Sequence, residues 1–210
     1  MGFGLSIVLH LFFLFILSLI IALFSLIITY FVSSREKKKR KLFLSAFIPF
    51  HILFSFYFFG FIGSMFVSES KKVDTGLGDS WYAPINDSYQ ILMIDLTDEA
   101  YVEYQGETIL SEVTDIQQIK NYLFCKTQDE KFYSLNLNNK KIIEYQNQKD
   151  FKKDIEIKKV NLIKVEDFYE KRKQEVSGLE MKIVGILSVL MSILTAIIIY
   201  RVTLKGIKRR

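Results

Sequence analysis

The chain has 210 residues, half of them hydrophobic, and a formal net charge of +5. That surplus is segregated: residues 33–41 and 201–210 hold eleven Lys and Arg against one Glu, whereas residues 68–180 hold sixteen basic and 22 acidic residues. A mildly acidic central region argues against a phosphate-tracking face, so nucleic acid is not an expected partner.

Residues 1–32 begin with an apolar run, 3–32, that carries no Asp, Glu, Lys or Arg. A helix needs ~20 apolar residues to cross a bilayer, and a charge at its centre costs at least ~2.5 kcal/mol. The run is too long for the h-region of a signal peptide, and its positive charge follows rather than precedes it. It is expected to be a first transmembrane helix with its N-terminus outside.

Residues 33–41, with Arg35, Lys37, Lys38, Lys39, Arg40 and Lys41, are expected to be a cytoplasmic loop by the positive-inside rule. Attraction to anionic lipid would accompany that role. Residues 42–67 repeat the uncharged apolar pattern, with Pro49 inside it, and are expected to be a second transmembrane helix. Fifteen of the 19 Phe lie in residues 3–66, as suits lipid-facing surface and helix packing. His10 and His51, the only two histidines, fall within the apolar runs. An ionisable group in that setting is a functional hypothesis, here proton handling, although the two positions imply different depths. Small residues at spacing four (Gly60 and Ser64; Ser18 and Ala22; Ser188, Ser192 and Ala196) mark seams for close helix approach, either within the chain or between copies.

Residues 68–162 read as an extracytoplasmic β domain. Short runs at 89–95, 100–104, 108–110, 113–119, 122–126, 132–137, 141–145 and 155–162 alternate or are apolar, and polar or turn residues bound them. The clearest hairpin joins 132–137 to 141–145 through Asn138-Asn139-Lys140. An antiparallel meander with one apolar face is expected. Cys125 is the only cysteine and is expected to act as a small buried hydrophobe. Residues 163–180 look like a charged helical stalk with a break at Ser177-Gly178. Residues 181–200 supply a third transmembrane helix, and 201–210, with Lys208, Arg209 and Arg210, a basic cytoplasmic tail.

The fold class expected is therefore an α+β membrane protein: three transmembrane helices plus a small antiparallel sheet domain. Chemistry is sparse. Residues 68–180 contain no histidine, which removes Ser-His-Asp and Cys-His arrangements and the usual zinc ligand sets from that region. No metal or cofactor is expected. Asp95, Asp98 and Glu99 cluster after a strand, as a solvated turn or an acid–base pair. Asp79, Trp81 and Tyr82 surround the single Trp, as an interfacial anchor or a binding contact. The function expected is that of a non-enzymatic, multi-pass protein of the inner or plasma membrane of a bacterial-type cell. Its outer domain would bind or shield a protein partner, in an accessory, sensor or immunity-type role, and the helices would offer a homo-oligomeric seam. The alternatives are an oligomeric transport or proton-handling subunit and a carboxylate hydrolase.

Overall fold

A computed structural model describes residues 3–74, 76–145, 149–151, 153 and 161–205. The chain divides into two compact units, one formed by residues 1–67 with 179–210 and the other by 68–178.

The first unit is helical. Helix α1 spans Phe3–Val32, α2 spans Lys38–Lys71 and α3 spans Val165–Lys205. The last residues of α2, from Ser68, and the first part of α3, to Gly178, belong to the second unit. Each of the three helices is long and apolar enough to cross a membrane. Lys38–Lys41, expected in a loop, instead form the first turn of α2.

Small residues bring these helices together. Ser18, Ala22, Ser64, Ser188, Ser192 and Ala196 are all buried within this one chain. A Cβ added at Gly60 would lie 3.7 Å from Ser188 Oγ, and one at Gly63 would lie 2.5 Å from Val184 Cγ1. The serine hydroxyls donate to carbonyls of their own helices: Ser18 to Leu14, Ser64 to Phe61, Ser188 to Val184 and Ser192 to Val189. The seam is thus made by small size, with the hydroxyl protons satisfied locally.

The second unit is an antiparallel meander of eight strands. β1 is Ser80–Pro84, β2 Tyr89–Ile94, β3 Ala100–Tyr104 and β4 Glu107–Ile119. β5 is Tyr122–Thr127, β6 Phe132–Asn136, β7 Ile142–Tyr145 and β8 Ile163–Lys164. The first seven pair in sequence order, and β8 pairs with β4. β4 is the hinge of the sheet. Its first half pairs with β3, from Glu107 to Val113, and its second half with β5, from Val113 to Ile119. Where β3 stops, β8 takes over the vacant edge at Asp115 and Ile116. Register shifts beside Val113 and a left-handed Glu112 (φ 57°) mark bulges, which bend a strand and sharpen its twist.

One face of the bent sheet carries the main core: Ala83, Tyr89, Ile91, Met93, Ala100, Val102, Val113, Ile116, Leu123, Cys125 and Leu135. The first part of α3 lays Val165, Phe168, Tyr169 and Val176 on it. The segment read as a stalk therefore packs its apolar stripe on the sheet. It does not break at Ser177-Gly178: Ser177 Oγ donates to the Lys173 carbonyl at 2.8 Å, and the helix runs on. The opposite face of β5 and β6 holds a second cluster, in which Phe151 packs against Phe124 and Phe132. Residues 154–160, which include most of the strand expected at 155–162, lie outside the described residues.

Candidate functional site

The most elaborate polar cluster centres on Asp74, which is buried just beyond the end of α2. Its carboxylate accepts four hydrogen bonds. The donors are the backbone N–H groups of Gly76 (2.6 Å) and Tyr82 (3.3 Å), the Lys173 ammonium (2.9 Å) and the Tyr169 hydroxyl. Lys173 Nζ also donates to the Tyr169 oxygen at 2.8 Å. Burial, and the carboxylate beside it, raise the Tyr169 phenol well above its ordinary value, so it remains a neutral donor. An ionised carboxylate has about four lone-pair positions, and all four are filled. The cluster is a clasp that joins β1 and the segment leaving α2 to the first turns of α3.

Asp79, Trp81 and Tyr82 enter this frame through the backbone. Trp81 and Ala83 face the core, with Trp81 partly buried. Tyr82 N–H meets Asp74, its carbonyl accepts from Asp74 N–H at 3.1 Å, and its hydroxyl lies 3.3 Å from Ser68 Oγ. The Asp79 carbonyl accepts from Asp95 N–H at 2.9 Å, which closes the β1–β2 end. Asp95 and Asp98 are exposed and Glu99 is half-buried in the β2–β3 turn. Among the described residues, no group of three His, Cys, Asp or Glu is arranged to hold a metal ion. Cys125 is fully buried and desolvation pushes its thiol up, so it is held as an unreactive thiol.

The two histidines are held apart on different partners. His51 Nε2 lies 2.9 Å from Thr195 Oγ1 on α3 and 3.5 Å from Ser55 Oγ. Thr195 Oγ1 is 3.0 Å from the Met191 and Ser192 carbonyls of its own helix. Thr195 Oγ1 and His51 Nε2 thus share a hydrogen bond between α3 and α2. His10 on α1 packs edge-on to Tyr57 of α2, ring centroids 6.0 Å apart. The geometry makes His51 an interhelical tether.

The basic residues gather at one end of the helical unit. Lys37 Nζ donates to the Leu204 carbonyl (3.4 Å) and Arg40 Nη1 to the Thr203 carbonyl (3.3 Å). These carbonyls belong to the last turn of α3, which lacks intrahelical donors and carries the negative end of the helix dipole. Lys38 sits over the Tyr30 ring at 4.1 Å. The α1–α2 loop and the end of α3 therefore share one end of the unit. Arg35, Lys39 and Lys41 belong to the same basic segment, while Lys208, Arg209 and Arg210 lie outside the described residues.

A different feature opens on the sheet domain and went unmarked in the sequence. The β1–β2 turn at Asn86-Asp87-Ser88 and the β6–β7 turn at Asn138–Lys140 face one another across a hollow of about 270 Å³ with Tyr104 and Leu137 in its lining. Asn86 Oδ1 accepts from Ser88 and Tyr89 N–H, both at 2.9 Å, which sets the first turn. Asn136 Oδ1 accepts from Asn138 N–H at 2.9 Å and Asn139 Oδ1 from Lys141 N–H at 3.1 Å, which set the second. Against family models, curated proteins and solved structures, the chain finds no match.

Proposed function

We propose that this chain is a non-enzymatic, three-span protein of the cell membrane whose sheet domain lies on the non-cytosolic side and binds a partner. The observation that carries this reading is the shared basic end. Residues 33–41 and the close of α3 meet through Lys37 and Arg40. Short Lys- and Arg-rich segments are retained in the cytosol. Three spans with that end inside leave residues 68–178 outside, held to the membrane through both α2 and α3. The Asp74 carboxylate, with its four acceptor positions filled, supports a structural role for that cluster, fixing the sheet on α3. The buried small-residue seams are occupied within the chain, so a partner is expected to meet the sheet domain in preference to those seams.

Two variants that each add one exposed cysteine test the sidedness, because native Cys125 is too buried to react. Asn139→Cys and Ser34→Cys both sit at exposed positions. A membrane-impermeant maleimide is expected to label Asn139→Cys in intact cells and Ser34→Cys only after permeabilisation. The reverse pattern overturns the reading. Crosslinking and co-purification from mild detergent then test for the partner, and a chain recovered without one counts against the binding role.

A further inference from the structure

The hollow between the β1–β2 and β6–β7 turns has a charge arrangement that the fold itself leaves unused. Lys140 Nζ sits 3.5 Å above the centroid of the Tyr104 ring, and among the described residues no carboxylate lies within ion-pair distance of it. Asp87 lines the same hollow, is exposed, and among the described residues has no basic partner. A cation and an anion thus face one cavity without pairing with each other. The lysine is held by a ring face, a weak contact at an exposed site. A charge-assisted hydrogen bond to a carboxylate is stronger, so the ammonium is parked where an anionic ligand group outcompetes its present contact.

The lining between these charges is mixed. Tyr104 and Leu137 give an apolar floor, and Ser88 and Asn138 add polar groups at the edge. Behind the floor, Tyr89 pairs with Tyr104 across the strands, with ring centroids 4.9 Å apart. Tyr89 is 1% exposed and its hydroxyl has no hydrogen-bond partner among the described residues. Both turns are set by Asn side chains bonded to backbone N–H groups, so the walls are formed in advance of binding.

We infer that this hollow binds a small zwitterion of the α-amino acid class. Lys140 takes the ligand carboxylate, Asp87 takes the ligand ammonium, and Tyr104 with Leu137 receives the ligand side chain. The inference deepens the binding role proposed above by naming a ligand for the sheet domain. It does not depend on sidedness in detergent, so the labelling experiment and the titration fail independently.

The test uses the full chain in detergent, titrated calorimetrically with each of the twenty protein amino acids at neutral pH. At least one is expected to bind saturably. Its carboxamide, which lacks the carboxylate, and its N-acetyl derivative, which lacks the ammonium, are each expected to bind about ten- to a hundred-fold more weakly. Lys140→Gln should erase the preference over the carboxamide, and Asp87→Asn the preference over the N-acetyl derivative, with circular dichroism and the Tm of both variants unchanged. Both substitutions are at surface turns, so folding should be spared. A flat titration for all twenty, equal binding of a charge-blocked derivative, or undiminished affinity in both variants overturns the proposal.

Discussion

Asp74 and Tyr169 set how the sheet domain responds to substitution and to pH. Removing one member of a buried ion pair strands the other, at ~3–5 kcal/mol when both are fully desolvated. Lys173 keeps about a quarter of its side chain in water, so Asp74→Ala is expected to cost less than that upper range, about 2–3 kcal/mol. Lys173→Met leaves the carboxylate with three donors and should cost less than Asp74→Ala. Urea unfolding followed through Trp81, which packs against the core, measures both. Tyr169 adds a pH dependence. Its phenol is held protonated more tightly in the fold than in the unfolded chain, whose value is near 10. The stability this gives is intact below pH ~10 and is lost as the pH climbs beyond it. One proton corresponds to ~1.4 kcal/mol per pH unit. Tyr169→Phe should therefore flatten the alkaline decline of unfolding free energy by about that slope. An identical slope in wild type and variant would show that Tyr169 does not titrate in this window.

At the scale of elements, the α2–α3 seam is set by Gly63. A side chain there would run into Val184, 2.5 Å from its Cγ1, and overpacking typically costs ~1–3 kcal/mol. Gly63→Val is expected to lower the Tm of the detergent-solubilised chain, and Val184→Ala in the same chain to recover most of the loss. Failure of that rescue would mean that the two helices do not meet at these residues. Which elements could be read from the sequence follows the range of the interactions that make them. The three apolar helices and the β6–β7 hairpin were legible, because long uncharged runs and the Asn138-Asn139-Lys140 turn are local signals. β4 was not legible as one strand. The polar pair Ser111-Glu112 looks like a boundary, yet the backbone passes through it as a bulge with Glu112 left-handed. The continuity of α3 was also hidden, since a Ser-Gly pair reads as a break until the Ser177 hydroxyl bonds back to Lys173. Candidate sites were less visible still. The clasp joins Asp74 to residues 95 and 99 positions away. The hollow brings together residues 86–88 and 137–140, which are far apart in the chain. Trp81 packs against the core, and Asn138-Asn139-Lys140, legible as a turn, gave no sign of the hollow it borders.

For the molecule as a whole, the proposed orientation rests on charge placement, and two clusters carry it. Residues 33–41 hold six Lys and Arg, and residues 201–210 hold five. If orientation follows the retention of basic segments, either cluster is sufficient, because three helices put both on the same side. Replacing Arg35, Lys37, Lys38, Lys39, Arg40 and Lys41 by Gln should leave the orientation unchanged, as should replacing the tail residues Arg201, Lys205, Lys208, Arg209 and Arg210. Neutralising both should produce a mixed population, since both clusters that favour the one orientation are then gone. A C-terminal reporter active on only one side of the membrane measures the fraction in each orientation. The loop variant carries an additional signature. Without Lys37 and Arg40, the final carbonyls of α3 lose their donors, each worth ~0.3–1 kcal/mol at a helix end. That variant should therefore show a lower Tm in detergent at unchanged orientation. A complete inversion on neutralising one cluster would place the control of threading elsewhere, in the length of α1 or in the folding of the sheet domain.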